Sequence, residues 1–549
     1  MNKKSHIVFW LILLMAFILR FYKLGIVPLS LDWDENSNAY NAYSILKTGR
    51  DEYGTFLPLT NRSFDDYKPP LYMYLSVPAV AIFGLTPFAA RLPSAFFGFL
   101  TVPAIYFLAK KLFSYTPFST PGVKSSLHQS DTPGVNVLAS ETIALCAMFL
   151  VAISPWHLQF SRVGFEATIG LFFATTAITT FLYGLRNNKW LIVSGILLGI
   201  SAYSYHSERI FVPLLFIAAF LIWRKKIFAT SKKYLAAFVI VTILIGLPLV
   251  VLIPPKVILQ RFEVTTGRPR LEDIEKSIKF ILQDQERGSN LGKYIHNRRF
   301  VIGQTWLGNY LSHFDFNFLF TQGDDNFRHH IEGMGMLYLF QLPLVFYGLF
   351  LLIKNRNKTS AFLLAWLLIA PIPATPAVPN PHGNRSLPMD PALQIISAYA
   401  LVLIFSMRFP FRKVLLSIFS LWIGISIITY LHNYWSHYPY DKADFWHFGY
   451  KEAVFESEKL KDQYQKINID HSLEQAYVFW LFNTKYDPTS YQKLGTRNHF
   501  DKYYFDAKPP INPNELFIAV TGTFPGGFEV VKTIYYPDGE EAIKIGYPR

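Results

Sequence analysis

Apolar segments of roughly 20 residues recur along this chain, and a segment of that length can cross a lipid bilayer as a helix. The 549 residues are 51% hydrophobic and only 16% charged, which is too apolar for several ordinary soluble domains. The sequence therefore predicts a polytopic α-helical membrane protein with about eleven transmembrane helices. The apolar windows lie near residues 7–27, 91–110, 140–160, 166–185, 189–205, 208–223, 233–254, 334–353, 359–378, 386–407 and 413–432.

Basic residues are concentrated in the short connections between these windows, and short cytoplasmic loops retain Lys and Arg. If Lys3 and Lys4 are cytoplasmic, this span count places every basic short loop on that side. These loops carry Lys110, Lys111, Arg186, Lys189, Arg224, Lys225, Lys226, Lys232, Lys233, Lys354, Arg356, Lys358, Arg408, Arg412 and Lys413. The formal net charge of +14 therefore reflects topology, and no nucleic-acid partner is predicted. A further span at the apolar segment 69–86 would reverse the later loops, so we expect a helix in the outer interface there. No small-residue cleavage site follows the first window, so we expect it to be a retained span.

This topology predicts two domains. Residues 1–432 form the membrane domain, with external loops at 28–90 and 255–333. The loop 255–333 is expected to pack as amphipathic helices. Residues 114–139 are rich in Ser, Thr, Pro and Gly and are expected to form a flexible cytoplasmic loop. Residues 433–549 are expected to form a small extracytoplasmic α/β domain.

The C-terminal domain carries its own pattern. YKEAVFESEKLKDQYQ predicts an exposed helix, AYVFWLF and NELFIAVTG predict buried strands, and TIYYPDGEEAIKIGY predicts a hairpin. The domain contains neither a phosphate loop nor a G-x-G-x-x-G motif. It is therefore interpreted as a folded platform for binding or stability.

Three carboxylates follow the first span directly, in LDWDENSNAY: Asp32, Asp34 and Glu35. Solvated acids are the ordinary interpretation of such a pair in a surface loop. At a partly dehydrated membrane edge, however, a carboxylate can act as a general base. The following stretch, ENSNAYNAYSILKTGRD, can form a helix with Ala39, Tyr43 and Leu46 on one apolar face.

Basic residues also lie at the predicted outer ends of apolar segments. Each one alone is better explained by a side chain that reaches the interface from a buried stem. Together they suit a lipid-linked phosphate, whose oxygens accept charge-assisted hydrogen bonds. Glu166 begins a span, where a carboxylate also stabilises the positive end of the helix dipole. The five cations are Lys68, Arg91, Arg162, Arg209 and Arg385.

The order of the motifs DWDENSNAY, YKPPLYMYL, ARLPSAFFGFLTVPAIYFLAKKLF and SPWHLQFSRVGFEATIGLFF resembles the GT-C glycosyltransferases. Within this class it is similar to the protein O-mannosyltransferase and aminoarabinose transferase group, glycosyltransferase families 39 and 83. The resemblance covers residues 1 to about 220 and extends loosely to about 432. It implies a polyprenyl-phosphate-linked sugar as donor and transfer of a hexosyl or pentosyl group to an external protein, lipid or envelope glycan.

The resemblance also implies roles for single residues. Three acids are the catalytic candidates: Asp34 matches the proposed catalytic base, Glu35 matches its neighbour, and Glu166 matches the acidic residue, usually Asp, after the third span. Lys68 matches a position close to the donor phosphate, Arg91 matches the arginine of the RLPS segment, and Arg209 and Arg385 match later basic positions loosely. Tyr67, Arg162 and His382 are possible substrate-binding residues. Tyr67 stands where the aminoarabinose transferases have Glu and the mannosyltransferases have His. The loop 255–333 is also too short to hold the β-trefoil insertion of the mannosyltransferases. The resemblance therefore does not imply which acceptor receives the sugar.

These assignments predict an inverting displacement in which Asp34 takes the acceptor proton while Lys68, Arg209 and Arg385 hold the leaving phosphate. Glu166 and Arg91 would orient the first loop. A transporter or flippase of lipid-linked sugars is the alternative, although midplane charges and repeated halves, typical of transporters, are not visible.

No cofactor is predicted besides the lipid-linked donor. The external histidines His329, His330, His382, His437 and His447 lack metal-ligand spacing, so no metal ligand is assigned and a divalent metal is left open. Cys146, the single cysteine, lies inside an apolar run. We expect an integral protein of the plasma (inner) membrane, with its site and C-terminal domain on the external face.

Overall fold

The computed structural model of this protein describes residues 2–64, 66–114, 133–255, 257, 271–407 and 410–549. Most of the predicted cytoplasmic loop 114–139 and part of the external loop 255–333 lie outside these residues, as does Arg408. Residues 133–139, which were expected to be loop, instead begin a helix. Pro133 is its first residue, where the missing N–H costs nothing and the fixed φ suits a helix.

Helices make up most of the chain up to residue 436. They are α1 (Lys3–Phe21), α2 (Trp33–Thr48), α3 (Leu71–Phe83), α4 (Pro87–Phe113), α5 (Pro133–Ile153), α6 (Pro155–Arg162), α7 (Glu166–Gly184), α8 (Lys189–Ser201), α9 (Glu208–Phe228), α10 (Lys232–Val251), α11 (Leu271–Glu286), α12 (Gly292–Ile295), α13 (Arg298–Ser312), α14 (Gln341–Asn355), α15 (Lys358–Ile369), α16 (Met389–Ser406) and α17 (Arg412–Ser436). A two-stranded antiparallel ribbon, β1 (Asn61–Ser63) with β2 (Asp66–Lys68), lies between α2 and α3.

In the described part of the chain, six of these helices are long and apolar enough to cross a membrane: α1, α4, α7, α10, α16 and α17. Residues Ala139–Ile153 and Pro155–Arg162 form a pair bent by 54°, which adds a seventh candidate if it is one span. The bend falls at Pro155, which cannot donate the next helical hydrogen bond. The other predicted windows are helical too, but the predicted span count stays a prediction.

The chain divides into two compact units. The first consists of residues 1–17, 99–159 and 170–426, and the second of residues 18–98, 160–169 and 427–549. The second unit thus combines residues 28–90, the predicted first external loop, with the C-terminal segment. The boundary predicted at 432/433 stays a prediction.

Small residues and buried polar pairs organise the first unit. A Cβ on Gly195 of α8 would lie 2.7 Å from the carbonyl oxygen of Phe238 in α10, so glycine permits this close helix contact. Farther along the chain, Ser154 Oγ donates to Asp390 Oδ1 at 2.8 Å. Such interhelical hydrogen bonds satisfy polar groups in an apolar surrounding.

The C-terminal part of the second unit contains helices and a six-stranded sheet. The elements are α18 (Tyr438–Asp441), α19 (Tyr450–Leu460), β3 (Lys466–Asp470), α20 (Ala476–Thr484), α21 (Pro488–Leu494), β4 (His499–Phe500), β5 (Tyr503–Ala507), β6 (Glu515–Val520), β7 (Phe528–Tyr535) and β8 (Glu541–Pro548). The strand order in the sheet is β4-β5-β3-β6-β8-β7. Strand β3 is parallel to β5 and β6, and β7 and β8 form the predicted antiparallel hairpin.

Two predictions for this domain need correction. AYVFWLF, predicted as a strand, is the buried helix α20, because a short continuous apolar run suits a buried helix as well as a buried strand. The predicted exposed helix is α19, but it buries one face that includes Ala453 and Val454. The strand predicted in NELFIAVTG is confirmed as β6.

The C-terminal domain holds helix α2 directly. Tyr40 Oη donates to the carbonyl of Tyr486 at 3.0 Å, and Gln492 Nε2 donates to Ser44 Oγ at 3.0 Å. α2 is buried around most of its circumference, including Ser37, Asn38 and Asn41, while Leu46 of its predicted apolar face is exposed. Helix α2 is thus anchored by a segment that follows much later in the sequence.

Candidate active site

The first turn of α2 is fixed by a capping box. Asp32 is the N-cap, and its Oδ1 accepts the N–H of Glu35 at 2.9 Å. In return Glu35 Oε2 accepts the N–H of Asp32 at 3.0 Å. The D-x-x-E spacing of the sequence is the known signature of this arrangement. Because both ends are tied, the intervening Asp34 has a defined place on the first helical turn.

Glu35 is also the centre of a buried ion pair. Its Oε1 accepts Nε of Arg91 at 2.8 Å and the N–H of Gly164 at 2.8 Å. The other guanidinium nitrogens of Arg91 donate to the carbonyls of Leu24, Pro28 and Ser30 and to Glu35 Oε2. Both side chains are fully buried. The geometry therefore favours a positioning role for Glu35 and Arg91.

A glycine makes this packing possible. A Cβ on Gly164 would lie 2.9 Å from Cγ of Glu35 and 3.0 Å from Oη of Tyr72. Real Cβ contacts are longer than this, so a side chain at 164 would displace the Glu35 carboxylate. The turn between α6 and α7 therefore depends on glycine at this point.

Asp34, unlike the fully buried Glu35, is partly exposed. Its carboxylate forms an ion pair with Nζ of Lys68, and its side chain is 27% exposed whereas that of Lys68 is 9% exposed. Nζ of Lys68 also lies 4.9 Å from the ring centroid of Phe64, within the range of a cation–π contact. Asp34 is thus the member of the DE pair that a reactant can approach.

The charge of Lys68 is stabilised by its neighbours. Burial by itself lowers the pKa of Lys68, but the negative charges of Asp34, Glu166 and Asp32 outweigh it, so that pKa is above its usual value of 10.5. Lys68 is therefore an ammonium at neutral pH. Such a group can neutralise an anionic ligand.

Glu166 is joined to α2 by residues that the sequence analysis did not single out. Asn38 Nδ2 donates to Glu166 Oε1 at 3.0 Å, and Asn38 Oδ1 accepts Asn61 Nδ2 at 2.9 Å. Asn38 follows Asp34 by four residues and therefore shares its helix face. That spacing is the signal that could have identified Asn38.

Arg162 and Tyr67 complete the predicted residues of this unit. Arg162 is fully buried, and its guanidinium donates to Tyr434 Oη at 3.2 Å and to the carbonyl of Leu19 at 2.9 Å. It therefore binds carbonyls at the end of α1, whose last turn has no further N–H partners for them. Tyr67 lies in β2 beside Lys68 and is half-buried. Their predicted substrate contacts stay predictions.

Three predicted residues belong to the first unit. Arg209 Nε donates to the carbonyl of Ala202 at 2.9 Å. His382 stacks on His329 with ring centroids 5.3 Å apart, and burial lowers the pKa of His382 well below its usual range. Arg385 is half-buried in the same loop. The predicted phosphate contacts of Arg209 and Arg385 stay predictions.

The fold and the membrane helices define a class of protein: this is an integral membrane protein with the fold of the GT-C glycosyltransferases. The structure is similar to that of ArnT from Cupriavidus metallidurans in the apo state, with a TM-score of 0.55, 12% identity and 97% of each chain covered. ArnT from Cupriavidus metallidurans bound to undecaprenyl phosphate gives a TM-score of 0.52 at 12% identity, with 97% of each chain covered. The predicted resemblance to this class is confirmed.

Two further comparisons gave matches. The sequence profile of the dolichyl-phosphate-mannose-protein mannosyltransferase family matches residues 135–250. The apo oligosaccharyltransferase of Archaeoglobus fulgidus is 15% identical with a TM-score of 0.49, and the match covers 87% of this chain and 64% of that chain. This chain thus spans less than two thirds of that protein's length. A comparison with curated protein sequences gave no significant match.

Proposed function

We propose that this protein transfers a sugar from a polyprenyl-phosphate-linked donor to an acceptor on the external face of the plasma (inner) membrane. The observation that carries the proposal is the pair Asp34–Lys68, in which a partly exposed carboxylate contacts an almost buried ammonium. The proposal is supported by the ArnT structure that is bound to undecaprenyl phosphate. The proposal includes about eleven membrane-spanning helices. It also specifies that the transferred group is a hexosyl or pentosyl group.

Asp34 acts as the general base in this proposal. Its carboxylate takes the proton of an acceptor hydroxyl while the hydroxyl oxygen bonds to the anomeric carbon of the donor. The bond between that carbon and the phosphate oxygen breaks, and its electron pair leaves with the phosphate. The configuration at the anomeric carbon inverts because the attack occurs opposite the leaving group.

Lys68 offsets the charge that develops on the leaving phosphate. Its ion pair with Asp34 balances the positive charge of the ammonium. A donor phosphate would then share or replace this contact and free Asp34 to accept a proton. Fixed charges aimed at developing charge supply much of the catalysis in such sites.

The remaining acids and Arg91 position these two groups. Glu35 and Arg91 fix the turn on which Asp34 lies, and Glu166 is held by Asn38 beside Lys68. The acceptor can be a protein, a lipid or a glycan. The proposed step assigns no role to a metal, and a divalent metal is left open.

The test is transfer of label from short-chain polyprenyl-phosphate sugars by the purified protein, with a panel of sugars and acceptors. The proposal predicts release of free polyprenyl phosphate with one sugar of the panel, and loss of this release in Asp34→Asn. Asp462→Asn, at an exposed position of the C-terminal domain, is the matched control and should retain it. Movement of intact donor between liposome leaflets without release, in wild type and both variants, would contradict the proposal and favour a flippase.

A further inference from the structure

A second cluster of chemically active side chains lies in the first unit. One ligand atom each of Asp324, His329 and His382 lies within 4.8 Å of the other two. Asp324 and His329 are buried, and His382 is half-buried. The cluster joins a loop after α13 to the loop before α16, so its members come from distant parts of the sequence. In the residues that the structure describes, it is the one group of this composition and spacing.

The carboxylate of Asp324 is held by surrounding hydrogen bonds. Oδ2 accepts the N–H of Gly383 at 2.6 Å and contacts Nδ1 of His329 at 2.6 Å. Oδ1 accepts the N–H of Asn326 at 3.1 Å. The N–H groups of Gly383 and Asn326 orient this carboxylate as outer hydrogen bonds orient the ligands of a metal. The contact with His329 joins two members of the cluster, and a shared ion would take its place.

Gly383 brings the second loop against this carboxylate. A Cβ there would lie 3.0 Å from Asp324 Oδ2 and 2.8 Å from Cε of Met336. Its carbonyl oxygen accepts Nε1 of Trp156 at 3.0 Å. The backbone beside His382 is thereby fixed from both sides.

His382 supplies the observation that points to a ligand. Its Nδ1 is buried and has no hydrogen-bond partner among the described residues. A buried polar atom without a partner is unfavourable and calls for an explanation. Coordination of a cation by the lone pair of this nitrogen provides one.

In two nearby histidines, both ring nitrogens already have hydrogen-bond partners. His330 has Nε2 2.7 Å from the carbonyl of Asp324 and Nδ1 2.9 Å from that of Ile331. His313 Nε2 accepts the N–H of His382 at 3.2 Å, and its Nδ1 lies 2.8 Å from the carbonyl of Asn309. Neither ring therefore offers a nitrogen to an ion, and the candidate set remains at three side chains.

We propose that Asp324, His329 and His382 bind one divalent transition-metal ion of the Zn²⁺ type. Two imidazoles with one carboxylate match the donor preference of Zn²⁺ rather than that of Mg²⁺, which prefers oxygen ligands alone. Three protein ligands leave a fourth position for water or an anionic oxygen. This inference is independent of the proposed transferase activity, in which no step uses a metal.

The experiment uses the full-length protein without a histidine tag, stripped with a chelator and then titrated with Zn²⁺ in detergent. Bound metal is counted after gel filtration. Wild type should retain one Zn²⁺ per chain, and His382→Gln should lower the affinity by at least about 10-fold. His471→Gln is the matched control: Nδ1 of His471 lies 3.1 Å from Oδ1 of Asp470, and within the described part of the chain this pair belongs to no group of three potential ligands. This control should bind as wild type does, and Mg²⁺ should not compete.

Equal Zn²⁺ affinity of wild type and His382→Gln would overturn the inference, as would the absence of retained metal in wild type. A second measurement does not depend on the folding of any variant. X-ray absorption of the Zn²⁺-loaded wild type should show two imidazole ligands per ion, and fewer than two would contradict the assignment. Loss of sugar transfer with normal Zn²⁺ binding would affect only the proposed function.

Discussion

Nε of Arg91 donates to Oε1 of Glu35 across 2.8 Å, and both side chains are fully buried. The preceding acid, Asp34, is 27% exposed and contacts Lys68. Two adjacent carboxylates on one helical turn thus have opposite surroundings. One is enclosed by fixed donors and orients the turn, whereas the other is accessible to a reactant.

The buried pair predicts a stability effect. Glu35→Gln removes the charge that compensates Arg91, and breaking a buried pair in this way costs roughly 3–5 kcal/mol. Thermal unfolding in detergent should show a clearly lower midpoint. Glu456→Gln removes the partner of Lys459 in a surface pair with an N–O distance of 2.8 Å, and should change the midpoint little because such pairs contribute little. Equal midpoints for the two variants would show that Glu35 has no positioning role.

The ammonium of Lys68 predicts an effect on the chemical step. Lys68→Met should lower kcat by about 100-fold or more, since removing one group that stabilises developing charge costs roughly that much. Because the pKa of Lys68 is raised above 10.5, no alkaline loss of wild-type activity below pH 10 should arise from this residue. The measurement is kcat from steady-state kinetics of Lys68→Met, with Lys451→Met, at an exposed position, as the control. Similar kcat values in both variants would exclude Lys68 from the site.

The link from Asn38 to Glu166 predicts a smaller effect. Hydrogen bonds to charged groups contribute roughly 1.5–3 kcal/mol, so Asn38→Ala should lower turnover by about 10- to 100-fold if Glu166 positions the reacting groups. Asn483→Ala removes an Nδ2 that donates to the carbonyl of Phe479 at 2.8 Å in α20 and should leave turnover unchanged. Unaltered turnover in Asn38→Ala would leave Glu166 with only a structural contact.

Glu52 predicts a pH dependence of stability. Burial raises the pKa of Glu52 from its usual 4.5 to about 8, so between these values the unfolded chain loses this proton while the folded chain keeps it. Stability therefore falls as pH rises from 4.5 towards 8, and below 4.5 the group has no effect. Glu52→Gln should raise the unfolding midpoint at pH 8, by about 3–5 kcal/mol in free energy, but not at pH 4. A gain that is the same at both pH values, or a gain of equal size in the exposed Glu540→Gln, would refute this assignment.

Sequence reasoning located the helices because hydropathy depends on the residues of each segment alone. The motifs made Asp34 and Lys68 candidates, but the residues of the motif alone do not show that Asp34 is partly exposed while Glu35 is buried. That difference arises from Arg91 and Gly164, which are distant in sequence and donate hydrogen bonds to the carboxylate of Glu35. Asn38 was accessible through helical spacing and was missed.

The remaining failures have physical causes of the same kind. AYVFWLF is apolar at every position, so it carries no periodicity that distinguishes helix from strand. The cluster of Asp324, His329 and His382 depends on two loops that meet through Gly383. No short sequence motif therefore predicts that these three residues lie close together.

The central claim is that the carboxylate of Asp34 takes a proton during transfer from a lipid-linked sugar. The most direct measurement is single-turnover release of polyprenyl phosphate from bound donor by wild type and Asp34→Asn, together with the donor affinity of each. Asparagine keeps the shape of the side chain but cannot accept the proton. We predict affinities within about threefold of each other and release at least about 10²-fold slower in the variant. Release at the wild-type rate in a variant that binds donor normally would contradict the account.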